Sequence, residues 1–241
     1  MNKTIKITLL FLIYMSNIVH ASNDDDCIEK LKNEYKNSKS TLVKNEVIMK
    51  IAMMYDNGIC VDKNHKEAFS WYKKAAQEGH APSQLNLGFL YLNGQGVNQN
   101  YDKSFIWTKK SATQGHANAQ YNLAKLYEKG RGVRQDYHQS LLWYRKAAEQ
   151  GLSSAQYHMG YSYHTGQGIK QEYSQAVKWY RKAAEQGDTQ AQNNLAALYM
   201  QGQGVKQNFK LSMELFDKSC KSGYQEACSN YIKLKEYVER I

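Results

Sequence analysis

From about residue 40 onward, apolar positions recur at helical spacing in short blocks, and the blocks themselves recur. Val43, Val47, Ile48, Ile51, Ala52 and Tyr55 form the first stripe; Ala119, Leu123, Ala124 and Tyr127 form a later one. Each block stops at a glycine pair followed by a β-branched residue: Gly94-Gln95-Gly96-Val97, then Gly130, Gly132 and Val133, Gly166, Gly168 and Ile169, and Gly202, Gly204 and Val205. Successive copies are 36 residues apart, and an imperfect copy, Gly58-Ile59-Cys60-Val61, lies one step upstream. Trp71, Trp107, Trp143, Trp179 and Leu215 keep the same step, as do Gly79, Gly115, Gly151, Gly187 and Gly223. A fixed period of this length marks a repeat array.

Each repeat reads as two helices. Helix B opens on a capping residue; Asn64 to Glu67 and Asp136 to Gln139 have capping-box spacing. It runs through the Trp and an Ala pair to a Gln-Gly or Glu-Gly turn, where glycine takes the left-handed position. Helix A follows and ends at the glycine pair. Ahead of the array, Asp24, Asp25 and Asp26 predict the start of a short helix reaching about Asn37, and Ser40 or Thr41 starts the next. At the other end, Tyr231, Leu234, Val238 and Ile241 share one face of a closing helix. The expected organisation is a signal peptide at 1–21, a helical cap at 22–39, the array at 40–228 and a capping helix at 229–241. The expected fold is all-α, a right-handed α-solenoid of about five helix-turn-helix repeats. Neighbouring units build its core together.

Composition supports helices: Pro occurs once, and Ala, Gln, Lys and Tyr abound. Residues 1–6 carry two lysines, 7–19 are apolar, and Val19-His20-Ala21 ends on a small residue. That is the layout of a cleaved export signal, and its apolar run falls short of the roughly 20 residues that span a bilayer. The chain is expected to be exported, periplasmic or secreted, and to act as a monomer with no later membrane span. Net charge is +10, or +8 without Lys3 and Lys6. Export argues against nucleic acid as the partner of that charge. The basic pairs Lys73-Lys74, Lys109-Lys110, Arg145-Lys146 and Arg181-Lys182 keep the repeat step, so they read as a solvated helix face.

No catalytic constellation stands out. His80 and His116 share one turn column, and His65, His138, His158 and His164 are scattered. Ser70-Trp71-Tyr72-Lys73 fits S-x-x-K, and Lys221-Ser222-Gly223 resembles a K-T-G box, but both fall on repeat columns and no S-D-N lies between. No His/Cys cluster has metal-ligand spacing and no Cys-x-x-Cys occurs, so neither metal nor cofactor is expected. Cys220 and Cys228 lie symmetrically about Tyr224, where a helical hairpin would bring them face to face.

The pattern A-x-x-x-L-(G/A)-x-x-Y-x-x-G-x-G-V, then A-x-x-W-Y-x-K-A-A-x-Q-G, resembles the Sel1-like repeat, a relative of the tetratricopeptide repeat. Ala119, Leu123, Tyr127, Gly130, Gly132, Val133, Trp143, Tyr144, Ala147, Ala148, Gln150 and Gly151 match it in turn. Cys60 stands for a glycine, Thr108 for the Tyr, and Leu215-Phe216 for the Trp-Tyr pair. The chain is similar to secreted cysteine-rich bacterial members of this family, in which Cys-seven-residue-Cys spacing ties two helices. The four cysteines allow three pairings; 220–228 with 27–60 is favoured, in keeping with an oxidising compartment. The resemblance implies a non-catalytic scaffold that binds a protein or an extended peptide. It is also similar to periplasmic immunity proteins that neutralise secreted lipase effectors, and to host-interaction factors. The alternative is a β-lactam- or peptidoglycan-binding, β-lactamase-like protein, a label given to some cysteine-rich relatives.

Binding would use the concave side, lined by the A helices. One column there reads Asn86, Asn122, His158, Asn194; beside it run Phe89, Lys125, Tyr161, Ala197 and Asn93, Lys129, Thr165, Gln201. Asn both donates and accepts, so the first column could hold peptide backbone. It could equally bond neighbouring helices and stiffen the stack. Both neighbouring columns, that of Phe89, Lys125 and Tyr161 and that of Lys129, differ in every unit, as specificity positions would.

Overall fold

The computed structural model describes residues 24–240, with side chains from Cys27 onward. The expected signal segment and Ile241 lie outside the described residues. Those described form helices joined by turns, with no strand among them: α1 (Asp24–Asn37), α2 (Thr41–Asn57), α3 (His65–Gln77), α4 (Ala81–Asn93), α5 (Tyr101–Thr113) and α6 (Ala117–Lys129). They continue as α7 (Tyr137–Glu149), α8 (Ser153–Thr165), α9 (Tyr173–Glu185), α10 (Thr189–Gln201), α11 (Phe209–Lys221) and α12 (Gln225–Arg240). Two compact units divide within α3, at Ala75.

In the first unit, α1 packs on α2 through Ile28, Val47, Ile51 and Met54. Ser40 caps α2, accepting from the Val43 amide. Val43 itself is 37% exposed, because it sits in the first turn, beyond the apolar cluster; the buried stripe begins at Val47. Tyr35 meets Trp71 edge to face, with ring centroids 5.7 Å apart.

The second unit is an α-solenoid, in which each helix packs against the one before and the one after it. The two glycines of each pair have different tasks. The first (Gly94, Gly130, Gly166, Gly202) ends an A helix in the left-handed conformation, with φ between 63° and 78°. The second also has positive φ, and at Gly132, Gly168 and Gly204 it lies against the start of the preceding B helix. A Cβ on Gly132 would fall 2.0 Å from the Tyr101 carbonyl oxygen, and one on Gly204 2.3 Å from the Tyr173 carbonyl carbon. No side chain fits there, so the step from repeat to repeat depends on glycine.

The basic pairs are exposed, as the periodicity suggests, but they are not simply solvated. Lys110, Lys146 and Lys182 each place Nζ 4.3–4.5 Å from the ring of Trp107, Trp143 and Trp179 three residues earlier. Arg181 donates to the Tyr199 hydroxyl at 2.7 Å. The charge column therefore covers the half-buried indoles of Trp107 and Trp179 and the buried one of Trp143, and ties hairpins together.

A polar ladder runs through the core beside the apolar one. Gln84, Gln120, Gln156 and Gln192 are buried, and each donates to the carbonyl of an alanine eight residues back. Gln114, Gln150 and Gln186 then donate across to the Oε1 of Gln84, Gln120 and Gln156, each at 2.7 Å. The next rung would need a donor at Ser222, which is too short, and Oε1 of Gln192 is left without a partner.

Candidate functional site

The A-helix face of the second unit is organised by one residue of the B helices. Tyr144 on α7 is buried and donates to Glu128 of α6 at 2.7 Å. His158 of α8 lies flat on its ring, at 4.4 Å and 7°. Burial first, and then the Glu128 carboxylate, hold the Tyr144 phenol protonated far above its ordinary pKa. Burial also pushes the His158 imidazole down to about 4, assisted by Lys125 and Lys129 and opposed by Glu128. One repeat on, Tyr180 of α9 is buried against Gly160, and Asn194 donates to its hydroxyl at 3.2 Å.

One repeat earlier the ring is missing. Thr108 of α5 is buried at the position of Tyr144, facing Gly88 as Tyr180 faces Gly160. The consequence is a cleft of about 160 Å³, with Phe89, Leu92, Thr108, Asn122, Lys125, Lys129 and Arg131 in its walls. The equivalent space beside Tyr144 holds only about 10 Å³. The register is that of the repeat: Leu92 stands where Glu128 does, Asn122 where His158 does, and Arg131 where Gln167 does.

The structure thus divides the seven residues singled out in the sequence. Phe89, Asn122 and Lys125 come together at the cleft. Tyr161 is 39% exposed on α8, and Phe89 is 49% exposed on α4. His158 and Asn194 bond or stack with the tyrosines of the preceding B helix, and Asn86 is half-buried on α4. Sequence reading placed Lys129 in a variable column of this face but passed over Arg131. It noted Thr108 only as a departure from the motif, and that departure is the signal that locates the cleft.

Cys220 and Cys228 form a disulfide between α11 and α12, with Cα atoms 4.7 Å apart. Cys27 and Cys60 border the same apolar cluster of the first unit. Cys60 has φ of +60°, the one non-glycine with positive φ among the described residues. His80 and His116 stand at helix N-termini, where Nδ1 meets the Ser83 hydroxyl and the Ala119 amide. Ser70 is exposed on α3, and Lys221 pairs with Asp217 at 2.6 Å. No cluster of metal-ligating residues occurs among the described residues, and no described helix is long and apolar enough to cross a membrane.

Fold and site define a helical-repeat protein with a cleft at one repeat of its A-helix face. The Sel1 repeat model matches residues 46–80, 81–116, 117–152, 153–188 and 189–224 without a gap, and the chain belongs to the Sel1 repeat family. Among solved structures it is similar to a protective antigen of uropathogenic Escherichia coli with an SLR fold, at 35% identity and TM-score 0.82. The match covers 87% of this chain and 44% of that one, so the chain spans less than half of that antigen's length. It is also similar to a Sel1 repeat protein from Oxalobacter formigenes, at 32% identity and TM-score 0.73, covering 83% of this chain and 86% of that one. An immunity protein from Pseudomonas aeruginosa shares the fold at 17% identity and TM-score 0.51, covering 82% of this chain and 81% of that one. Among curated proteins, none matches the sequence.

Proposed function

We propose that this protein is an exported, non-catalytic scaffold that recognises a protein or an extended peptide with the A-helix face of its solenoid. The observation that carries this reading is the Phe89, Lys125, Tyr161 column. On the A-helix face, Phe89 and Tyr161 stay 49% and 39% exposed, on either side of a lysine. Large exposed aromatics beside a cation on a rigid face are what an interface requires. The Cys220–Cys228 bond suits an oxidising compartment and supports export. Within the reading, neutralising a foreign toxin fits an exported binder that must hold one partner tightly, and host interaction is the other role.

The test uses purified protein as bait against envelope extract and against candidate secreted effectors, with any captured partner purified and its binding measured directly. Replacing Phe89 and Tyr161 together by Ala, neither of them part of a buried core cluster, should change thermal unfolding little and weaken that partner at least tenfold. Unchanged affinity would move the interface to another face. The β-lactamase-like alternative gains nothing from the geometry: Ser70 is an exposed helix-surface residue and Lys221 is engaged with Asp217. A chromogenic β-lactam left unhydrolysed by the purified protein would set it aside.

A further inference from the structure

The cleft at Thr108 has a shape that the rest of the array defines. At the same column Tyr144, Tyr180 and Phe216 are buried rings, and only Thr108 leaves the ring's place empty. Gly88 keeps the seat that Gly160 provides for Tyr180. The space is therefore moulded for an aromatic ring that the chain itself does not supply.

Its charge is equally particular. Lys125, Lys129 and Arg131 stand in the walls, where the next repeat has the neutral residues Tyr161, Thr165 and Gln167. Glu128, the acid that accepts from Tyr144, is replaced in this register by Leu92. No described ion pair matches the three cations with a carboxylate; Lys125 and Arg131 lie instead 5.4 and 5.6 Å from the rings of Tyr121 and Tyr101. Three cations around an apolar seat favour a ligand that brings its own anion. Asn122, in the same wall, can bond the peptide backbone between ring and anion.

We propose that the cleft binds a peptide segment carrying a phenylalanine-type side chain next to a carboxylate. The ring takes the place left by Thr108, and the carboxylate sits among Lys125, Lys129 and Arg131. This deepens the scaffold reading and rests on it. The carboxylate can be the C-terminus of the partner or an acidic side chain beside the ring.

The experiment measures fluorescence anisotropy of labelled tetrapeptides on the purified protein. Three peptides are compared: one ending in Phe as the free acid, its C-terminal amide, and an amidated peptide with an internal Phe-Asp pair. Tightest binding of the free acid, at least tenfold over its amide, assigns the carboxylate to a chain end; tightest binding of the Phe-Asp peptide assigns it to a side chain. Either result supports the proposal, provided that T108Y abolishes it. T108Y supplies the ring of the neighbouring repeats, so it should fold and melt no lower than the parent while losing at least tenfold in affinity. K125A with K129A should lose a similar factor and flatten the salt dependence. Unchanged binding by T108Y, or no binding of any of the three peptides at millimolar concentration, would overturn the proposal. A whole partner still held by T108Y but released by F89A with Y161A would leave the scaffold reading standing while removing the cleft from it.

A separate observation concerns Cys27 and Cys60. Cys60 occupies the column of Gly132, Gly168 and Gly204, where a side chain is directed at the preceding helix and left-handed φ strains any L-residue. In the first unit that helix is α1, and Cys27 borders the cluster that Cys60 borders. We infer that the two are joined by a disulfide in the exported protein. The Sγ–Sγ bond forms as each thiol gives up a proton and the pair gives up two electrons, which reduce the disulfide of oxidised glutathione or of an oxidoreductase to two thiols. Non-reducing peptide mapping after a glutathione redox buffer should show one linked 27–60 fragment and no alkylatable thiol. Two alkylated cysteines, or a 27–220 link, would overturn it.

Discussion

Two places in the second unit share one design and differ in one ring. Beside α7, Tyr144 fills the gap between helices, donates to Glu128 and carries His158 on its face, and about 10 Å³ is left. Beside α5, Thr108 replaces the ring, Leu92 replaces the acid, and about 160 Å³ opens among three cations. The changes go together: the phenol and its acceptor disappear as a pair, and positive charge takes the rim. A repeat array turns a structural position into a recognition position by subtracting a core side chain, and neighbouring copies show what was subtracted.

The comparison can be broken most severely from the filled side. Y144T should remove the ring, unstack His158 and leave the Glu128 carboxylate without its donor, costing roughly 3 kcal/mol or more in urea denaturation. A loss under about 1 kcal/mol would mean that the ring is not what closes this gap. Acid should attack the same place next. His158 titrates near 4 when folded and near its ordinary value when unfolded, so the unfolded chain binds the proton more readily. The stabilisation from keeping it neutral is complete above about pH 6.5 and drains away as pH falls toward 4, by an amount on the order of 3 kcal/mol. H158N installs the column's other residue, which can bond Tyr144 as Asn194 bonds Tyr180, and should flatten that part of the pH profile.

From the open side the effects are smaller and of opposite sign. T108Y should add about 1 kcal/mol by filling the cleft, less than Tyr144 contributes because Leu92 cannot accept from the hydroxyl. Thermal unfolding checks it, and a clear destabilisation would mean that the walls have relaxed away from the ring's shape. Smallest is a second broken column: S222Q should give Gln192 Oε1 the donor it lacks and raise stability by about 1 kcal/mol, read as a shifted urea midpoint at constant slope.

Much of this was legible in the sequence because helical repeats align themselves. Helix order, caps at Asn64 and Asp136, glycine turns and the Cys220–Cys228 pairing follow from spacing alone, since each depends on neighbours in the chain or on one hairpin. What escaped was whatever depends on side chains from three helices at once. Asn86, Asn122, His158 and Asn194 look alike as a column, yet the latter two are engaged by tyrosines fourteen residues earlier, and Asn122 has Thr108 at that position. The glutamine ladder was missed for another reason. Gln84, Gln120, Gln156 and Gln192 keep the repeat step as strictly as the tryptophans, but a search for apolar stripes passes over buried amides.

That ladder bears on how such a protein can lengthen. Each of the three units between residues 81 and 188 brings one amide that receives and one that gives, so a duplicate of one of them spliced in at the same phase arrives with its core polarity already balanced. An insertion of any other length would strand an amide on both sides of the join. Growth by whole copies is therefore nearly neutral and growth by fragments is not; in the ladder only Gln192, whose unit has Ser222 at the giving position, keeps an unanswered oxygen.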